Sequence, residues 1–151
     1  DAAGALLSPA DGRVIAAGPA RISVFMNVFD VHVCRSPCAG RVLSVERRAG
    51  SFVSAFRDSA SEHNERTEIV VEGERGRVRF VLVAGLVARR IVCRVAPGAA
   101  LEAGERVGLI RFGSRVDLDL PPGASPRVRI GDRVVAGETA VVALPAANRY
   151  S

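Results

Sequence analysis

Apolar and polar residues alternate along this chain over short runs, and glycine, proline and aspartate interrupt them every few positions. The segments 13–16, 22–28, 41–45, 68–72, 77–84, 91–95, 116–120 and 139–144 are rich in Val, Ile, Leu and Phe. Branched and aromatic side chains pack well on a pleated surface, so each of these reads as a strand bounded by turns. No window sustains a helical period, and 84–90 is the best candidate for a short helical turn. Two runs, 106–112 and 116–120, flank the pair Gly113-Ser114, which by pattern alone is a turn between two strands. Many short strands with such punctuation predict a mainly β domain, a barrel or a sandwich.

An internal echo narrows this. Ser8-Pro-x-x-Gly-Arg-Val14 recurs as Ser36-Pro-x-x-Gly-Arg-Val42. Gly-x-x-Val steps follow at Gly50, Gly104 and Gly131, the last trailed by Gly137. They resemble the turns of biotinyl/lipoyl-type barrel-sandwich folds, where glycine supplies positive φ and valine returns to the core. The expected architecture is one barrel-sandwich domain over residues 1–151, with an internal duplication and few short helices. The block 127–144 should be woven into the same sheet as the rest, and 145–151 should fray.

Composition removes several function classes. A length of 151 residues with 48% hydrophobic content fits one globular domain with a real core. All 21 basic residues are arginine, so no lysine can carry biotin, lipoate, retinal or pyridoxal phosphate. A barrel-sandwich binding or carrier module therefore survives only in a non-acylated form. The net charge of +5 suits an anionic membrane or nucleic acid. The arginines are dispersed, however, and six Phe with one Tyr give no base-stacking platform, so no nucleic-acid partner is expected. The apolar stretch around Gly85 is too short to span a bilayer. Cys34, Cys38 and Cys93 lack CxxC spacing and read as free thiols rather than a zinc site. A phosphocarrier or zinc peptidase would need a ligand cluster or a histidine pair, and the only histidines, His32 and His63, are far apart.

The pair Gly113-Ser114 has a chemical reading beside the turn. A serine hydroxyl held against the preceding carbonyl can move the acyl group from nitrogen to oxygen, and glycine leaves that carbonyl uncrowded. Loss of the ester by β-elimination leaves a dehydroalanine, which hydrolyses to a pyruvoyl group. Gly85-Leu-Val-Ala-Arg-Arg-Ile-Val92 and Gly104-Glu-Arg-Val-Gly-Leu-Ile-Arg-Phe-Gly-Ser-Arg-Val-Asp117 resemble the phosphatidylserine decarboxylase family. So do Ser8-Pro-Ala-Asp-Gly-Arg-Val14, Phe29-Asp-Val-His-Val-Cys-Arg-Ser-Pro37 and Asn64-Glu-Arg66, in family order and over nearly the whole chain. The likeness is to the short bacterial and archaeal branch.

That resemblance implies serinolysis at Gly113-Ser114, giving chains 1–113 and 114–151. It implies a pyruvoyl cofactor derived from Ser114, with no metal and no pyridoxal phosphate. The reaction would be decarboxylation of phosphatidylserine to phosphatidylethanolamine. Expected partners are a phospholipid substrate, the membrane surface, the protein's own two cleaved chains and a second copy in a homodimer. The expected location is the cytoplasmic face of the cell membrane, with a membrane-associated segment preceding Asp1.

His32, at the end of a strand-like run before a proline turn, matches the motif histidine and becomes the leading acid/base. Longer family members carry a second histidine where this chain has Arg35, so the base for self-cleavage is His32 itself, His63 or a water. Asp11 is a natural turn aspartate, yet the resemblance marks it as the acid needed for cleavage. The echo places Ala39 at the matching position, so the turn does not require a carboxylate. Arg89 and Arg90 are candidates for the substrate's phosphate or carboxylate. Asn64-Glu-Arg66 is either part of a solvated loop or a signature that builds the neighbourhood of the active site.

Overall fold

The computed structural model describes residues 4–26, 32–50, 64–85, 91–110 and 113–146. Its largest sheet contains β2 (Gly12–Ala17), β3 (Arg21–Phe25), β5 (Gly40–Arg48), β6 (Arg66–Gly73), β7 (Gly76–Val83), β9 (Ala100–Leu101), β11 (Arg115–Asp119) and β13 (Arg133–Val134). Across that sheet the strands run β13-β2-β3-β11-β7-β6-β5-β9. Two three-stranded sheets flank it. One joins β1 (Ala5–Leu7), β14 (Ala140–Ala143) and β12 (Ser125–Pro126); the other joins β4 (His32–Arg35), β10 (Arg106–Ile110) and β8 (Ile91–Cys93). The curled large sheet closed by two small ones is the expected barrel-sandwich.

Alternation explains where the core lies. Ile22 and Val24 on β3, Phe80 and Leu82 on β7, and Val116 and Leu118 on β11 point inward into one apolar cluster. Val81 and Val83 face the other way and form a second small cluster. All eight anticipated strands form, although 27 and 28 lie outside the described residues. Among the described residues β10 falls on the 106–112 run, and five further strands had weaker signals, being two to four residues long. His32 opens β4 rather than ending a strand, because the four residues before Ser36 are the ones paired to β10. The helical candidate at 84–90 falls mostly outside the described residues.

Gly113-Ser114 is not a hairpin turn. β10 and β11 belong to different sheets, so the pair is a crossing between layers. β11 then enters the middle of the large sheet between β3 and β7. The block 127–144 is not woven into one sheet: β13 extends the large sheet, whereas β14 is the middle strand of a small one.

The sequence echo is a structural two-fold. Leu7 N–H donates to Pro37 O and Arg35 N–H donates to Pro9 O, both at 2.9 Å, as reciprocal bonds between the two copies. Ser8 Oγ donates to Ala10 O, and Ser36 Oγ to Cys38 O, each at 2.7 Å. Val14 exchanges backbone bonds with the 131–132 turn as Val42 does with the 98–99 turn. A Cβ on Gly12 would overlap the Phe25 carbonyl oxygen, and one on Gly40 the Glu72 carbonyl oxygen. Both copies also carry a β-bulge at the same step, after Val14 and after Val42.

This register fixes equivalences elsewhere. Val14 pairs through Val24 to Val116, and Val42 pairs through Val71 to Val78. Two residues back along each last strand, Ser114 corresponds to Gly76.

Candidate active site

Gly113 adopts φ +71°, in the left-handed region that L side chains avoid. Ser114 follows it fully buried, and its carbonyl accepts the Met26 N–H at 2.8 Å. The segment just after the Gly113–Ser114 bond is therefore already fixed to β3. Arg115, next in the chain, is the largest fully buried side chain. Its Nε lies 3.0 Å from Asp117 Oδ1, which also accepts the Ser23 hydroxyl at 2.7 Å. Arg21 adds a longer ion pair to Asp117 Oδ2, at 3.6 Å. Burying these charges is tolerable only because they are paired. The cluster locks the head of β11, where Ser114 stands. It escaped the sequence reading, although Arg-x-Asp within a strand places both side chains on one face.

Asp11 and His32 meet in one cavity of about 300 Å³, lined also by Arg35, Val135, Ala136 and Glu138. Asp11 reaches it at the end of the Ser8-Pro turn, and its Oδ1 accepts the Ala136 N–H at 2.6 Å. The carboxylate thus caps the returning 133–137 segment. His32 arrives from another direction, paired with Ile110 on β10, four residues before Ser114. Gly12 packs on Phe25, and Met26 binds Ser114, so Asp11 stands about two strand spacings, roughly 10 Å, from the serine. Asp11 and His32 share this cavity; Ser114 is not among its lining residues and stands fully buried at the head of β11.

Arg35 acts as a clamp. Its guanidinium donates to Gly104 O at 2.8 Å and its stem packs on Gly137. Cys34, between His32 and Arg35 in chain space, is buried in the core. Burial, then the nearby Asp11 charge, then Cys93, push its thiol up to about 12. Cys38 is raised to about 11 by burial. Thiols held protonated are poor metal ligands.

Asn64 is buried and donates through Nδ2 to Ala84 O at 2.6 Å. Arg66 lies opposite Val83, which lies opposite Arg115, so this signature belongs to the Ser114 end of the sheet. His63, Arg89 and Arg90 lie outside the described residues.

A family model described as phosphatidylserine decarboxylase matches residues 1–142. The chain belongs to this family. The matched span contains Asp11, His32, Gly113 and Ser114, as well as every strand except the last residue of β14. No solved structure matches the chain.

Proposed function

We propose that this chain is a self-processing, pyruvoyl-dependent phosphatidylserine decarboxylase. The observation that carries the reading is Ser114, buried at the head of an inner strand directly after a left-handed glycine. That setting suits serinolysis. The hydroxyl oxygen attacks the Gly113 carbonyl carbon, the peptide C–N bond breaks, and the Ser114 nitrogen takes a proton. β-Elimination then removes the Ser114 Cα proton and releases residues 1–113 as a carboxylate. Hydrolysis of the dehydroalanine releases ammonia and leaves residues 114–151 with a pyruvoyl end.

The residues present fit that group, because β11 is pinned between β3 and β7 by its ladder and by the Arg115–Asp117 pair, independently of the Gly113–Ser114 bond. When formed, the pyruvoyl group supplies an electrophilic carbonyl that accommodates the electron pair left by departing CO₂. His32 holds and moves the protons in the cavity. Asp11 bears a negative charge beside it and, through Ala136, ties the two products of cleavage together.

A lipid surface as partner is supported by the 127–135 segment. Ile130 is 70% exposed at its apex, flanked by the exposed Arg127, Arg129 and Arg133. Two hydrogen bonds shape the segment: Arg129 N–H donates to Asp132 Oδ2, and Gly131 N–H to Val14 O. An exposed isoleucine among arginines suits an anionic bilayer on the cytoplasmic face. Val135, at the base of the segment, lines the Asp11–His32 cavity. A homodimer stands as a further part of this proposal.

The test is CO₂ release from phosphatidylserine vesicles, compared with release from free serine. Wild type should turn over the lipid and leave serine almost untouched, and Ser114→Ala should do neither. Turnover by Ser114→Ala would overturn the pyruvoyl mechanism; equal turnover of free serine would overturn the lipid assignment.

A further inference from the structure

The two-fold that relates the Ser8 and Ser36 turns brings two cavities into partial correspondence: Asp11, Val33 and Ala136 of one match Ala39, Ala5 and Ala103 of the other. The first holds Asp11 and His32. The second, of about 330 Å³, includes Cys38, Ala39, Gly76 and Ala103 in its lining. In the register established above, Ala39 matches Asp11, Gly76 matches Ser114, Ala103 matches Ala136, and Gly4 matches His32. None of the acid, base or nucleophile is present at this corner.

What remains has its own chemical character. Leu6, Val78, Pro121 and Leu144 supply an aliphatic lining, with no aromatic ring, hydroxyl or amide side chain among the lining residues. Such a surface rewards only the burial of hydrocarbon. Arg75 and Arg77 stand at the exposed rim. Arg75 donates to Pro145 O at 3.2 Å, and Arg77 makes no ion pair among the described residues. Glu74 shares the rim, leaving two guanidiniums against one carboxylate. The volume falls within the roughly 300–1,000 Å³ of small-molecule sites. Gly76 and Ser114 lie toward opposite ends of the β7–β11 pair, since Arg115 pairs with Val83 at the far end of β7. At about 3.3 Å per residue the two corners are on the order of 20 Å apart.

We propose that the cavity at the Gly76 corner is a second binding site, which takes an anionic amphiphile: an alkyl chain inside, and a phosphate or carboxylate at Arg75 and Arg77. It is a duplicate of the reaction corner that keeps a cavity without the chemistry. The proposal does not depend on the pyruvoyl reading.

The test is a titration of the full chain, in wild type and in Ser114→Ala, followed by amide shifts. Dodecyl phosphate and dodecanoate, both below their micelle concentrations, should move the amides of Gly73, Gly76 and Ala103 in both proteins. Dodecyl maltoside should bind at least about tenfold more weakly, and inorganic phosphate should leave these amides in place. Arg75→Glu with Arg77→Glu, both at exposed positions, should weaken dodecyl phosphate about tenfold, a difference of roughly 1.4 kcal/mol. Ala103→Trp should block the site. Amides at the Gly76 corner that stay still with both anionic probes would overturn the proposal. So would equal affinity for the maltoside, for inorganic phosphate alone, or for the double arginine variant.

Discussion

The corner at Ser8–Val14 and the corner at Ser36–Val42 are built alike and differ in what they carry. Each has a serine hydroxyl bonded two residues ahead, a glycine pressed on a neighbouring carbonyl, and an arginine reaching a glycine carbonyl in the returning turn. One corner adds Asp11, His32 and Ser114; the other has Ala39, Gly4 and Gly76 in their places. The comparison separates scaffold from chemistry within one chain. The turn forms without a carboxylate, so Asp11 is not there to make it. Asp11 instead reaches Ala136, a backbone donor in the returning segment, and faces His32 across a cavity.

The comparison can be broken most sharply by variants that act at one corner only. Ser114→Ala should leave a single chain and abolish decarboxylation, as read by denaturing electrophoresis and CO₂ release. His32→Ala should cut decarboxylation by about 10²–10⁴-fold, the usual contribution of a positioned acid/base, whereas His63→Ala should leave it near wild type. Asp11→Asn should slow processing by a similar factor with an unchanged melting curve. Its mirror, Ala39→Asp, should alter neither rate nor stability. Normal processing in Asp11→Asn would reduce the aspartate to a cap on the 133–137 segment.

Other substitutions should hurt through stability. Asp117→Ala removes the carboxylate paired with the buried Arg115 and should cost about 3–5 kcal/mol in urea unfolding of the Ser114→Ala background. Gly12→Ala and Gly40→Ala should each cost on the order of 3 kcal/mol, since both force a methyl group onto a carbonyl oxygen. Gly76→Ala meets no neighbouring atom and should cost only about 1 kcal/mol, from its φ of +122°.

The smallest effect concerns pH. Cys34 is raised from 9.0 to about 12 in the fold. Below pH 9 its thiol is protonated in both states, and its contribution is fully present. Above that, the unfolded thiol ionises first, so stability falls as pH rises toward 12. With no lysine in the chain, few other groups titrate there. Cys38, raised from 9.0 to about 11, adds a fall of the same sign, so Cys34→Val should reduce the fall between pH 9 and 11 by about half in urea melts.

Much of this was legible in the residues. The long strands announce themselves through alternating Val, Ile and Phe, and the two Ser-Pro-x-x-Gly-Arg-Val copies reveal the duplication before any coordinates. Short strands such as Ala100–Leu101 and Ser125–Pro126 are defined by their partners and leave no local pattern. The crossing of Gly113-Ser114 between sheets was hidden for the same reason: two adjacent strand-like runs do not say whether they pair. Arg35 looked like a lost catalytic group, and only its bond to Gly104 identifies it as a clamp. The buried Arg115–Asp117 pair defied composition, because burial of an arginine depends on a carboxylate meeting it in three dimensions.

The Ser114 corner should cut its own chain, and the Gly76 corner should not. Intact mass analysis of the purified wild-type protein tests this most directly. Two species are expected, residues 1–113 and residues 114–151, the second lighter by one ammonia than a fragment beginning with serine. A single full-length mass in a preparation that releases CO₂ from phosphatidylserine would contradict it.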